Sequence, residues 1–199
     1  MALEKADILT FVNGVLRRSE TDIDVQIQAV LDDLSDAEFL EETDESQSLE
    51  NGDLTLDYPT GFITVVSISL TDSNGVEWAP LEKLPGGHAQ YRKFRNNDSA
   101  AGRPEWYSEF DDKFWLWRPA NGEYDAVIEY TKRHPALSGD TGSIEFGDEF
   151  KNALNCGAAF QVALKFKLKD YISIWGPMYE TAKEKMRLSR PGQPYIVKG

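Results

Sequence analysis

Three side chains in this sequence, His88, His134 and Cys156, carry the imidazole or thiolate groups that bind zinc. Neither histidine has an HxxxH or HxxE partner, so a zinc site would have to be assembled from Cys156 and scattered acids. His88 follows Gly86-Gly87 and His134 precedes Pro135, and both read as surface loop residues. No G-x-S-x-G elbow marks a nucleophilic serine, and neither a Walker A loop nor a G-x-G-x-x-G turn is present. The acids Asp44, Glu45, Glu50 and Asp53 lack the spacing of a calcium loop, and Glu41 to Asp53 reads as a solvated hairpin or disordered tip. No catalytic, cofactor-binding or metal-ligating residue is therefore assigned, and no cofactor is expected. One surface chemistry remains: Trp106, Trp115 and Trp117 are spaced to share a β face that either packs internally or stacks sugars, bases or a peptide.

The elements that position these residues follow from patterning. Cys156 lies in the run from Asp148 to Arg190, where Phe150, Leu154, Ala158, Leu164 and Leu168 recur at helical spacing and Tyr171, Trp175, Tyr179, Ala182 and Met186 continue it. Acids at Asp148 and Glu149 and bases at Lys183, Lys185, Arg187 and Arg190 suit the dipole of helices running in that direction. A break into two helices is expected between Lys169 and Pro177, the alternative being one helix kinked at Pro177. Gly157, Ala158 and Ala159 form a small patch that lets another backbone approach, and Cys156 reads as a buried packing residue within it.

At the other end, Ile8, Phe11, Val12, Val15 and Leu16 predict a short helix, and Ile23, Ile27, Val30, Leu31 and Leu34 a second one, begun by a capping box from Thr21 to Asp24. Between the helical regions the period changes to two. Asn51-Gly52 predicts a hairpin, Phe62 to Asp72 is the strongest strand, and Val76-Glu77-Trp78 pairs back on it. Glu105 to Phe110, Lys113 to Arg118 and Tyr124 to Lys132 read as a three-stranded meander, with Phe114 and Leu116 on one side and Trp115 and Trp117 on the other. The fold class is α+β: a helical bundle of the N-terminal pair (1–36) and C-terminal helices (138–190), with an inserted antiparallel β domain (37–137) and an extended arm (191–199).

Bulk properties limit the partners. With 34 acids against 21 bases the net charge is −13, so the chain as a whole lacks the basic footprint by which proteins grip nucleic acid, although an acidic wall can surround DNA without holding it. A lone cysteine rules out an internal disulfide framework, no apolar run is long enough to span a bilayer, and the start does not read as a secretory signal, so synthesis in the cytosol is expected. The tail SRPGQPYIVKG combines helix-breaking residues with the strand-capable Tyr195-Ile196-Val197, and reads either as a frayed end or as an arm that folds on a partner.

The order of motifs resembles the head-to-tail adaptor, or connector, proteins of tailed bacteriophages. The features are an N-terminal helix pair, Tyr58-Pro59-Thr60-Gly61-Phe62 opening a hydrophobic strand, an aromatic stretch from Trp106 to Tyr130, and Glu149 to Leu154 opening the C-terminal helices. The resemblance implies a non-enzymatic virion protein of the neck, made in the host cytoplasm. It would dock as a ring, commonly of twelve copies, on the portal protein, let genomic DNA pass without specific binding, and present a platform to a downstream tail or nozzle protein. It further implies a portal-docking role, carried over by position, for Arg190, Pro191, Tyr195, Ile196 and Val197. The helix face of Phe150, Leu154, Leu164, Leu168 and Trp175 is expected to pack neighbouring subunits. The competing expectation is a monomeric carbohydrate- or peptide-binding module using Trp106, Trp115 and Trp117.

Overall fold

The computed structural model describes residues 3–37, 39–137 and 143–189. In chain order the elements are β1 (Leu3–Glu4), α1 (Lys5–Leu16), α2 (Asp24–Asp36), β2 (Glu41–Leu49), β3 (Thr55–Asp57), β4 (Phe62–Asp72), β5 (Glu82–Lys83), α3 (Gly87–Asn97), β6 (Trp106–Phe110) and β7 (Lys113–Trp117). They continue with β8 (Tyr124–Lys132), β9 (Ser143–Ile144), a 3-10 turn (Asp148–Phe150), α4 (Lys151–Lys165) and α5 (Lys169–Ser189). The fold class is α+β. Two compact units divide the chain, one formed up to Leu40 and from Arg133 onward, the other by Glu41–Lys132.

In the helical unit α4 is the central element, packed by α1, α2 and α5. Its alanines and Gly157 are the reason: a Cβ on Gly157 would lie 2.7 Å from Val30 Cγ1 and 2.8 Å from Tyr179 Cε2, so α2 and α5 approach α4 as closely as a bare backbone permits. Ile8, Val12, Ile27, Val30, Leu31, Leu34 and Leu154 are fully buried in this core. The α1–α2 turn is clasped by Asn13, whose side chain donates to the Glu20 carbonyl at 2.8 Å and accepts from the Glu20 amide at 2.9 Å. Arg17 closes α1 in the left-handed conformation with φ of 53°.

Two local expectations are corrected here. The first turn of α2 is held by Asp22, whose carboxylate accepts the Asp24 amide at 2.9 Å, and not by a Thr21 capping box, because the helix begins two residues later than the box requires. The C-terminal helices part at Phe166–Leu168, upstream of the expected break. Lys167 takes φ of 55°, and the Leu168 amide returns to the Ala163 carbonyl at 2.9 Å, a left-handed termination achieved without glycine. Phe166 lies beneath the Arg18 guanidinium at 3.7 Å. α5 then runs 21 residues with Pro177 inside it.

The second unit is a sandwich. Sheet β2-β8-β4 and sheet β3-β7-β6-β5 enclose a core to which Leu49, Ile68, Leu70 and Ile128 come from the first sheet, and Leu56, Tyr107, Phe114 and Leu116 from the second. The expected meander is corrected: β6 and β7 form a hairpin, but β8 joins the opposite sheet, between β2 and β4. The crossing segment carries Ala120, fully buried, whose backbone exchanges bonds of 2.7 and 2.9 Å with Gly52 and Asp53. Likewise Asn51-Gly52 turns the chain, yet β3 pairs with β7 and not with β2, so no hairpin ladder forms there. The acidic stretch is strand through Leu49, not a disordered tip. Its outward carboxylates, and a bulge between Asp44 and Gln47, suit an edge strand that must not pair with other chains.

Candidate interaction surfaces

Each histidine has a packing role. His134, expected on the surface, is buried at 2% exposure. Its amide donates to Ser35 Oγ at 3.0 Å, Nε2 accepts the Glu145 amide at 3.0 Å, Nδ1 lies 2.6 Å from the Pro135 carbonyl, and the ring stacks on Phe146. The sequence hid this because Pro135 marks a turn without revealing that the turn folds inward. His88 is half-buried on α3, stacked on Phe110 at 4.2 Å, and burial together with Arg92 holds its ring below the ordinary histidine pKa. Cys156 is buried at 2% exposure, and burial raises its thiol pKa. Among the described residues no group of three or more His, Cys, Asp or Glu is arranged to hold a metal ion.

The tryptophan face is packed from within the same unit. α3 lies across the outer side of β6 and β7, where Tyr91 meets Trp115 at 5.7 Å and Phe94 meets Trp117 at 5.2 Å. Trp106 and Trp117 stack on each other at 5.1 Å, and Trp106 Nε1 donates to Glu82 at 3.1 Å. Of the two uses weighed for this face, the geometry favours internal packing: each tryptophan is half-buried and contacts other rings of this unit.

The helix face expected to join subunits divides in two. Phe150, against Phe39 and Phe146, and Leu154, at 0% exposure, are sealed in the helical unit's own core and leave nothing for a neighbour. Trp175 is half-buried against Phe11, Leu168 is half-buried, and Leu164 is exposed. The exposed apolar residues of α5 are others. Ile174, Met178 and Leu188, with Thr181 and Lys185 between them, lie on one flank at helical spacing, out of phase with Tyr171, Trp175, Tyr179, Ala182 and Met186. The latter stripe is the one named from the sequence, and it is the one that meets the core. Arg190, Pro191, Tyr195, Ile196 and Val197 lie outside the described residues.

The inner stripe of α5 ends in a polar cluster. Tyr179 Oη donates to Asp33 Oδ2 at 2.5 Å and Lys183 Nζ reaches the same oxygen at 2.8 Å. Burial pushes the Asp33 carboxyl upward, but the bonds from Lys183 and Tyr179 outweigh it and hold the group below its ordinary pKa. Tyr179 moves the other way: burial and then the Asp33 carboxylate raise its pKa.

Charge is segregated between the units. Glu41–Lys132 carries 18 acids and 8 bases, net −10, whereas the rest of the chain has 16 acids and 13 bases, net −3. From Ser19 to Glu82 there are 17 acids and no lysine, arginine or histidine. Among the described residues no helix is long and apolar enough to cross a membrane.

The two units thus have filled cores, an exposed apolar flank on α5 and a strongly acidic sandwich. The family model of the SU10 adaptor protein matches residues 4–194. The chain belongs to that family, which comprises phage head-to-tail adaptors, and it is a structural component of the virion neck. No curated protein matches the chain.

Proposed function

We propose that copies of this chain form a closed ring, twelve being the number the resemblance implies, docked on the portal protein, with the bore serving as part of the DNA conduit and the far side as the tail's attachment platform. The family match over residues 4–194 carries the reading. The charge distribution supports the conduit, because a wall at net −10 per copy repels phosphate, whereas basic contacts would retain DNA in a tight, salt-sensitive way. Residues 191–199, led by Arg190 and anchored by Tyr195, Ile196 and Val197, serve as the arm that reaches the portal. The subunit-packing role falls to exposed residues, not to Phe150 or Leu154, which the core already uses.

The test is electron microscopy of the purified chain mixed with the portal ring of the same phage, and with a variant ending at Ser189. A second ring stacked on the portal, lost on truncation, is expected. The full chain should also leave duplex DNA unretarded in a gel at about 50 mM salt, where basic DNA-binding surfaces bind hardest. A chain that remains a monomer beside the portal, or that shifts DNA, would sink the reading.

A further inference from the structure

The layers of the sandwich place two exposed cations without ion-pair partners on one outer face, where Glu82 is engaged by Trp106, and exposed carboxylates on the other. On one side α3 covers the tryptophan side of β6 and β7 and turns Arg92 and Lys93 to solvent, where neither forms an ion pair among the described residues. Residues 83–97, which include this helix, hold four of the unit's eight bases and no acid. On the other side, beyond the shared core, lies the outward face of β2-β8-β4. There Asp125 and Glu129 are exposed on β8, and a groove lined by Glu41, Thr43, Glu129 and the solvent-facing Val66 runs between strands. No base precedes Lys83 in this unit, and Lys132, at the end of β8, is already paired with Glu42 at 2.6 Å.

A body with a basic face and an acidic face at opposite ends of one stack of layers is complementary to a copy of itself in the head-to-tail sense. Such contacts are heterologous, and they close into a ring when the rotation between copies permits. We propose that α3 of one copy, through Arg92 and Lys93, seats on the outward face of β2-β8-β4 of the next copy, against Glu129 and Asp125 and over Val66. The occupant of the sheet face is thus a second copy of this chain. This rests on the ring reading and names the surfaces that join the ring. It also accounts for the packing of α3 by three tryptophans, which hold the two cations on a rigid platform instead of a loop.

The test uses full-length chains and single cysteines introduced on the two faces, Lys93→Cys and Thr43→Cys, where Thr43 sits beside Glu129 in the β2–β8 register. The native Cys156 is buried and stays out of the reaction. Oxidation of the two variants mixed with portal rings should give a disulfide-linked pair that neither variant gives alone, and a double variant should give a ladder. Arg92→Glu with Lys93→Glu should weaken copy-to-copy association about tenfold or more. Combining it with Asp125→Lys and Glu129→Lys should restore it, which a merely misfolded variant would not do. If rings form on the portal but the mixed cysteines do not link and the reversed charges do not rescue, this contact is wrong and the ring reading survives. If no ring forms with the unaltered chain, both fail.

Discussion

The closest test of the helical unit is a pair of identical substitutions with opposite expected signs. Gly157 and Gly14 both lie inside helices, and alanine in either gains about 1 kcal/mol of intrinsic helix stability. A Cβ at residue 14 meets nothing within 4 Å, so Gly14→Ala should stabilise the unit by roughly that amount. A Cβ at residue 157 would lie 2.7 and 3.0 Å from the Val30 methyls and 2.8 Å from Tyr179 Cε2, where relaxed carbon contacts are about 3.5–4.0 Å. The overlap is on two sides, and neither neighbour is free to withdraw. Val30 is fully buried, and the Tyr179 ring is tethered through its hydroxyl to Asp33 at 2.5 Å. Overpacking of this kind costs about 1–3 kcal/mol, and with both neighbours fixed the upper end applies, leaving a net loss of about 1–2 kcal/mol after the helix gain. Urea unfolding followed by circular dichroism reads this as a lowered midpoint for Gly157→Ala and a raised one for Gly14→Ala, at unchanged slope. Val30→Ala in the Gly157→Ala background should recover part of the loss. A Gly157→Ala variant as stable as Gly14→Ala would refute the argument that α4 was made small so that α2 and α5 could close on it.

Two further outcomes follow from polar groups with specific partners. Asp33 has a folded pKa below its unfolded value, so its bonds to Tyr179 and Lys183 stabilise the fold above the ordinary carboxylate range and are lost as pH falls through the folded value. An acid titration of the unfolding midpoint should therefore lose a component in Asp33→Asn. His134→Ala removes the acceptor for the Glu145 amide and the ring stacked on Phe146, which should cost about 2–4 kcal/mol, and an unchanged melting midpoint would show that the ring does not join these segments.

What was legible in the sequence was whatever a period could encode. The stripes of α1, α2 and α4, the strand from Phe62, and the opposed faces of Phe114 and Trp115 were each visible because side chains alternate or recur against a single core. What was hidden needed partners distant in the chain. β8 alternates equally well whether it continues the β6–β7 hairpin or crosses to β2 and β4, and only the Ala120 segment, bonded to Gly52 and Asp53, decides between them. On α5 the stripe of Tyr171, Trp175, Tyr179, Ala182 and Met186 was legible and does meet the core, whereas the exposed flank of Ile174, Met178 and Leu188 was not singled out. His134 showed only a proline beside it, while its hydrogen-bond partners besides Pro135 lie at Ser35 and Glu145.

The absence of cations from Ser19 to Glu82 bears on how such a chain is neutralised. Within the sandwich, the pairs Lys83–Glu109, Lys113–Asp57 and Lys132–Glu42 join different strands, so those bases are spent holding the unit together. Isolated exposed pairs of this kind contribute little each, and they leave most of the 18 carboxylates facing solvent. Self-repulsion of that size opposes association of free copies, and it weakens as salt shortens the screening distance. A copy presenting Arg92 and Lys93 to its neighbour's β8 offsets part of the repulsion at the contact and leaves the remaining acids unneutralised. In the proposed ring, association would consume Arg92 and Lys93 while the rest of the sandwich stays acidic, as the proposed DNA conduit would require.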